Sequence, residues 1–249
     1  MSPDILFWLL AGLATFFVGA GKGGIPGVGI LAVPILSQVI SPGIAAGLLL
    51  PLFVVSDIYG LWLYRKSYSL WNIQIIVAAS LIGIGIGWAT AQYNNDNLVK
   101  FIVWLIGIWY SVDIFVRSRR KVEVQAKPAD VPRGIFWGSI AGFTSFVAHA
   151  GGIPFQMYVL PQKLDKMTYA GTSTIAFTII NVLKLPPYWM IGQINVGSLE
   201  KCIYLVPVAL FGAWAGYRLT KILPQHVFFK AVEIALFLVS LKLIYDALI

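Results

Sequence analysis

Apolar positions fall into ten stretches separated by short polar breaks. In the first half they cover roughly 4–19, 24–40, 43–64, 72–92 and 98–117. In the second half they cover roughly 134–148, 152–162, 168–190, 199–219 and 226–248. Several approach the ~20 apolar residues that carry a helix across a bilayer. Segments three, four and five of each half are long enough to span. Segments one and two are short and meet at a glycine-rich break. The stretch 118–133 is polar and basic, with Pro128 and Pro132, and reads as a linker. The expected organisation is a membrane repeat over 1–117, a linker over 118–133 and a second repeat over 134–249. Together they form one all-α polytopic membrane domain.

Composition agrees. Of 249 residues, 59% are hydrophobic and 11% charged, with a mean hydropathy of +0.82. Soluble domains do not carry that balance. The formal charge of +8 raises nucleic acid as a partner, but the basic residues sit in short loops between apolar segments, as membrane topology requires. No nucleic-acid partner is expected. Cys202 stands alone, so no internal disulfide forms, and it reads as a small core residue. The start, Met1-Ser2-Pro3-Asp4, lacks the basic region of a cleaved signal.

Two breaks resemble each other. The first reads Gly19-Ala20-Gly21-Lys22-Gly23-Gly24-Ile25-Pro26-Gly27, the second His149-Ala150-Gly151-Gly152-Ile153-Pro154-Phe155. Further matches keep the same order. Ala46-Gly47 matches Ala170-Gly171, Asp57 falls opposite Asn181, and Tyr64 opposite Tyr188. Gly83 and Gly87 match Gly212 and Gly216. A duplication explains this order. An odd number of crossings per half, five or three, inverts the second half against the first. Four crossings, with only one segment of the first pair spanning, give a parallel repeat.

Charge separates these two cases. The inverted arrangement gathers Arg65, Lys66, Arg117, Arg119, Arg120, Lys121, Lys127, Arg133, Lys163, Lys166, Arg218 and Lys221 on one side. Only Lys100 and Lys201 lie near the other surface. This bias favours inversion, with the 118–133 linker cytoplasmic and both termini outside. The location expected is a bacterial-type inner membrane.

A broken helix at membrane depth must face protein or water, because lipid cannot satisfy its backbone. Gly21, Gly23 and Gly24 permit backbone angles closed to other residues. Pro26 and Pro154 suit the first turn of a new helix. Each Gly-Gly-Ile-Pro therefore reads as a helix start, whose N–H groups and dipole favour an anion. Inversion brings two starts together near the midplane, as paired broken or re-entrant helices. The candidate binding residues are Lys22, Gly23, Gly24 and Ile25 in one copy, and His149, Gly151, Gly152 and Ile153 in the other. Lys22 adds a charge, and His149 a titratable group.

Other readings of the first knot are weaker. It fits G-x-G-x-x-G, but neither a strand nor a βαβ unit surrounds it. A Walker loop needs Ser or Thr after the lysine. The bland reading is close helix packing, with Lys22 snorkelling to the surface.

Charges at membrane depth are functional candidates. Asp57 lies within segment three, and its repeat partner Asn181 shares a helix face with Lys184. Lys184 is suited to binding an anion, neutralising Asp57 or closing a helix end near Pro186-Pro187. Thr172, Ser173 and Thr174 offer hydroxyls, though such groups often bond their own helix. Asp113, Glu233 and Lys242 read as structural ion-pair partners. Gly83 with Gly87, and Gly212 with Gly216, read as close-packing pairs. Trp8, Trp62, Trp71, Trp88 and Trp109 suit interfacial anchors.

At these residues the chain resembles the sulfite exporter TauE/SafE family of membrane transporters. The resemblance rests on Gly21-Lys22-Gly23-Gly24, on Leu50-Pro51 followed by Asp57, and on Gly142-Phe143-Thr144-Ser145. It extends to His149-Ala150-Gly151-Gly152 and Asn181-Val182-Leu183-Lys184. It covers nearly the whole chain. It implies movement of a small sulfur-containing anion, such as sulfite or a sulfonate, with Lys22, His149, Asp57, Asn181 and Lys184 as candidate residues. The expected function is a secondary transporter, an exporter by family, with His149 or Asp57 as candidates for a coupling proton. An anion channel using the same site as its filter is the alternative. An enzyme is not expected: two histidines and one cysteine build no metal cluster, and no nucleophile–base pair stands out. No cofactor is expected. The partners expected are a small anion and the lipid bilayer, with a homo-oligomeric copy left open.

Overall fold

The computed structural model describes residues 3–25, 28–91, 126–230 and 234. The fifth segment, residues 118–125 of the linker and most of the tenth segment lie outside them. So do Pro26, Trp109, Asp113, Glu233 and Lys242. The helices are α1 (Pro3–Lys22), α2 (Ala32–Leu36), α3 (Pro42–Tyr64), α4 (Leu70–Ala89), α5 (Val131–Ala148), α6 (Gly152–Val159), α7 (Lys166–Met190) and α8 (Val196–Ile222). Short 3-10 turns cover Val28–Leu31 and Leu160–Gln162. No strand occurs among the described residues. Helices α1, α3, α4 and α8 are long and apolar enough to cross a membrane.

Local sequence sets the helix starts. Pro42 opens α3 behind the extended Ser41, where its missing N–H costs nothing. Asp130 accepts from Arg133 N–H to open α5, and Asp165 from Met167 and Thr168 N–H to open α7. Asn195 and Ser198 form a reciprocal capping box on α8. The proline pair Pro186-Pro187 does not close a helix end: α7 runs through it to Met190.

Large apolar side chains face outward as well as inward, and several charged or polar ones are buried. Ile58, Trp62, Ile82, Phe136, Ile203 and Phe211 are exposed, whereas Lys22, Asp57, His149, Gln156, Asn181 and Lys184 are buried. Lipid rewards the first set, and the second has only the protein interior. Trp8, Trp62, Trp71 and Trp88 are all exposed, as anchors should be.

Two seams of small residues bring helices into backbone contact. On α4, a Cβ at Gly83 would overlap the Ser139 carbonyl oxygen of α5. Across the same seam, a Cβ at Gly142 would overlap the Ser80 carbonyl oxygen. On α8, a Cβ at Gly212 would overlap the Phe16 carbonyl oxygen of α1, and one at Gly19 the Ala209 carbonyl oxygen. The small-xxx-small pairs read in the sequence are therefore packing devices. Helix α1 runs alongside α8 in the same direction, with Trp8 beside Tyr204 and Phe16 beside Phe211. Helix α4 likewise parallels α5. Helices α3 and α7 cross antiparallel through the centre, joined by Asn181 and Asp57.

The first segment is longer than expected. Helix α1 has 20 residues, about 30 Å at 1.5 Å per residue. Gly19 and Gly23 lie against the α8 backbone, so the helix continues deep into the bundle before it breaks. The second segment is a 3-10 turn and the five-residue α2. The chain leaves α1 beside Tyr64, the last residue of α3, yet enters α3 at Pro42. The stretch between therefore runs back along α3.

One end of the bundle gathers basic residues. Lys127 N–H bonds the Pro161 carbonyl at 2.9 Å, Trp71 bonds the Ala129 carbonyl, and the Lys166 ammonium bonds the Lys221 carbonyl at 3.1 Å. These contacts draw together the loops and helix ends bearing Arg65, Lys66, Lys127, Arg133, Lys163, Lys166, Arg218 and Lys221.

Candidate functional site

Two breaks in the helices frame the centre, and each is built differently. Helix α1 ends at Lys22, and Gly23 and Gly24 turn the chain. Gly24 has φ of 108°, and a Cβ there would overlap the Tyr64 hydroxyl. That position needs glycine. Gly21 and Gly23 instead serve packing: Gly21 lies against Gly29, and Gly23 against Ala213 and Tyr217. In the second break, His149 adopts φ of 52° and ends α5. A left-handed histidine is uncommon and costs of order 1–3 kcal/mol. It swings the ring inward.

The helix starts also differ. Pro154 lies in the first turn of α6, which begins at Gly152. In the first copy the described residues continue as the 3-10 turn Val28–Leu31 and the five-residue α2. The expected helix start at Pro26 lies outside the described residues, while the second copy has its start at Gly152.

Between the breaks lies a cavity of about 70 Å³. One water needs about 10–15 Å³, so there is room for a small oxyanion. Lys22, Phe53, Ser145, His149, Gln156 and Asn181 line it, together with Gly21, Gly152, Thr174 and Phe177. Of the residues expected from the sequence, Lys22, His149, Gly152 and Asn181 reach it. Asp57 and Lys184 stand behind its wall. Gly23, Gly24, Ile25, Gly151 and Ile153 shape the breaks without lining it; Ile153 belongs to the hydrophobic core.

The polar side chains form two clusters. In the first, the Lys22 ammonium lies 2.7 Å from Asp57 Oδ1. Asp57 Oδ2 accepts from Asn181 Nδ2 at 2.8 Å. The Phe53 and Phe177 rings lie 5.4 and 5.7 Å from the ammonium, within cation–π range. Lys22, not Lys184, therefore neutralises Asp57. In the second cluster, Lys184 Nζ donates to the Ser145 carbonyl at 2.9 Å and contacts Ser145 Oγ at 3.0 Å. It also meets His149 Nδ1 at 2.9 Å. His149 Nε2 lies 3.0 Å from the Ala46 carbonyl. A carbonyl only accepts, so Nε2 carries the proton and Nδ1 faces the Lys184 amine as acceptor. Both ring nitrogens are in use.

Matched tyrosines tie the breaks down. Tyr64 donates to the Gly23 carbonyl at 2.6 Å, and Tyr188 donates to the Phe146 carbonyl. Thr174 donates to the Lys22 carbonyl at 3.2 Å.

Gln156 went unread in the sequence. It is 1% exposed and lines the cavity, and neither polar atom of its carboxamide has a hydrogen-bond partner among the described residues. A buried polar group left unpaired costs about 1–3 kcal/mol. The available signal was one amide in the apolar run Gly152–Val159, a turn beyond Gly152. Phe53, Phe177 and Ser145 were also missed as lining residues.

A family model described as sulfite exporter TauE/SafE matches residues 8–243. No curated protein and no solved structure matches the chain.

Proposed function

Because the chain belongs to the sulfite exporter TauE/SafE family, we propose that it is a secondary transporter of a small sulfur-containing anion, sulfite or a sulfonate, moved by alternating access. The family is one of transporters rather than enzymes. The observation that carries the reading is a single cavity lined by Lys22 from the first glycine break and by His149 and Gly152 from the second. Its scale suits one small oxyanion, and its donors come from both halves of the chain.

The inverted repeat is part of this proposal. Contacts exchange between the halves: α1 packs on α8 and α4 on α5, while α3 meets its own counterpart α7. Such partner exchange supports a two-fold relation with the cavity on the axis. Collection of basic loops at one end supports a cytoplasmic linker, termini outside and a bacterial inner membrane. Lys22 and Asn181 would meet the anion directly. Asp57 and His149 remain the coupling candidates, and each must give up a present partner to carry a proton.

Flux in proteoliposomes tests the proposal. An imposed pH gradient is expected to drive sulfite or a sulfonate uphill. Absence of flux for sulfite, thiosulfate, sulfoacetate and taurine would overturn the transporter reading. Flux that only runs down its own gradient and ignores pH would indicate a channel instead.

A further inference from the structure

Gln156 is the one cavity-lining side chain whose two polar atoms both lack a partner among the described residues. Its Nε2 faces the start of α6, 4.0 Å from where a Cβ on Gly152 would stand. A carboxamide offers two N–H donors and one acceptor oxygen. A bare oxyanion can use only the donors and leaves Oε1 without a partner from the anion. An anion bearing one donor hydrogen satisfies both ends. The surrounding charge points the same way. Lys22 is held 2.7 Å from Asp57, so the wall nearest the cavity carries an ion pair, not a free cation to balance a dianion.

We propose that Gln156 is a substrate ligand that selects a protonated sulfur monoanion, hydrogen sulfite over the sulfite dianion, with its Nε2–H groups on anionic oxygen and its Oε1 on the anion's donor hydrogen. This rests on the transporter reading and specifies the form of cargo that the site accepts. Discrimination arises because the wrong ligand leaves a buried polar atom unpaired, which is how sites reject close analogues.

The titratable groups around the cavity are Lys22 on α1, Asp57 on α3, His149 after α5 and Lys184 on α7. Their own titration must be separated from that of the ligand. Methanesulfonate provides the control: it is a monoanion at every working pH and has no donor hydrogen. Binding of sulfite and of methanesulfonate to purified protein is compared across the pH range in which hydrogen sulfite loses its proton. Sulfite binding relative to methanesulfonate is expected to fall at least tenfold as that proton is lost. The Gln156→Leu variant should bring the two ligands within about twofold at every pH while keeping its thermal transition. Gln156→Glu should bind neither anion well. An unchanged ratio in Gln156→Leu, or sulfite binding that strengthens with deprotonation, overturns the assignment. Wild-type flux of sulfite with such a result would sink the role of Gln156 alone. Wild-type protein that moves no sulfur anion would sink the transporter reading itself.

Discussion

The Lys22 ammonium and the Asp57 carboxylate lie 2.7 Å apart with 7% and 1% of their side chains exposed. Removing one partner strands the other charge, at a cost of about 3–5 kcal/mol. Lys22→Met and Asp57→Leu should therefore each lower the unfolding transition sharply. The double variant should recover much of that loss without recovering transport. A double-mutant cycle on stability, read beside flux, checks both halves of the expectation.

Tyr64 holds the Gly23 carbonyl in the first break, and Tyr188 holds the Phe146 carbonyl in the last turn of α5, just before the second. Tyr64→Phe and Tyr188→Phe should each cost about 1–3 kcal/mol, since each leaves a buried carbonyl unpaired. Denaturant unfolding in detergent measures the loss. An effect at one site and none at the other would mean the two breaks are not held alike.

The glycine seams tolerate no Cβ at Gly83 or Gly212. Gly83→Ala and Gly212→Ala should cost more than about 1 kcal/mol by forcing helices apart. Gly12 and Gly85 have open space beside them. Alanine there should be neutral or slightly stabilising, because alanine is the better helix former. Thermal transitions of the four variants rank these sites.

Asp165 caps α7. Burial pushes its carboxyl upward, but hydrogen bonds from Thr168 and Met167 outweigh this and hold it below the usual carboxylate range. A depressed folded-state value adds stability above the unfolded pKa, and that stability is lost as pH falls through the folded value. Asp165→Ala should thus cost about 1 kcal/mol near neutral pH. The gap from wild type should close as pH drops through the acid range. Paired unfolding curves at neutral and acid pH provide the measurement.

Helical membrane architecture was legible because apolar length is a strong signal, and Gly83, Gly87, Gly212 and Gly216 announced close packing. The match of Asp57 to Asn181 was legible too, and the two side chains proved to be hydrogen-bonded. The partner of Asp57 was not. Lys22 and Lys184 are equally plausible in sequence, and only the course of α1 beyond Gly19 brings Lys22 within reach. The asymmetry of the breaks was hidden for a similar reason. Both copies read Gly-Gly-Ile-Pro, yet the first continues into the 3-10 turn Val28–Leu31 and the second into the helix α6, a difference the shared motif does not encode. Gln156 escaped because a single amide in an apolar run has no periodicity to betray it.

The pairing of Lys22 with Asp57 also has an electrical meaning. A lone buried charge carried through the bilayer field exchanges about 2.3 kcal/mol per 100 mV. A salt bridge moving as a unit exchanges almost none. Membrane voltage would then pull on the charge of the cargo and not on this pair. Any voltage dependence of the proposed transport is therefore expected to follow the net charge of the anion carried, with the glycine-flanked Lys22 electrically silent.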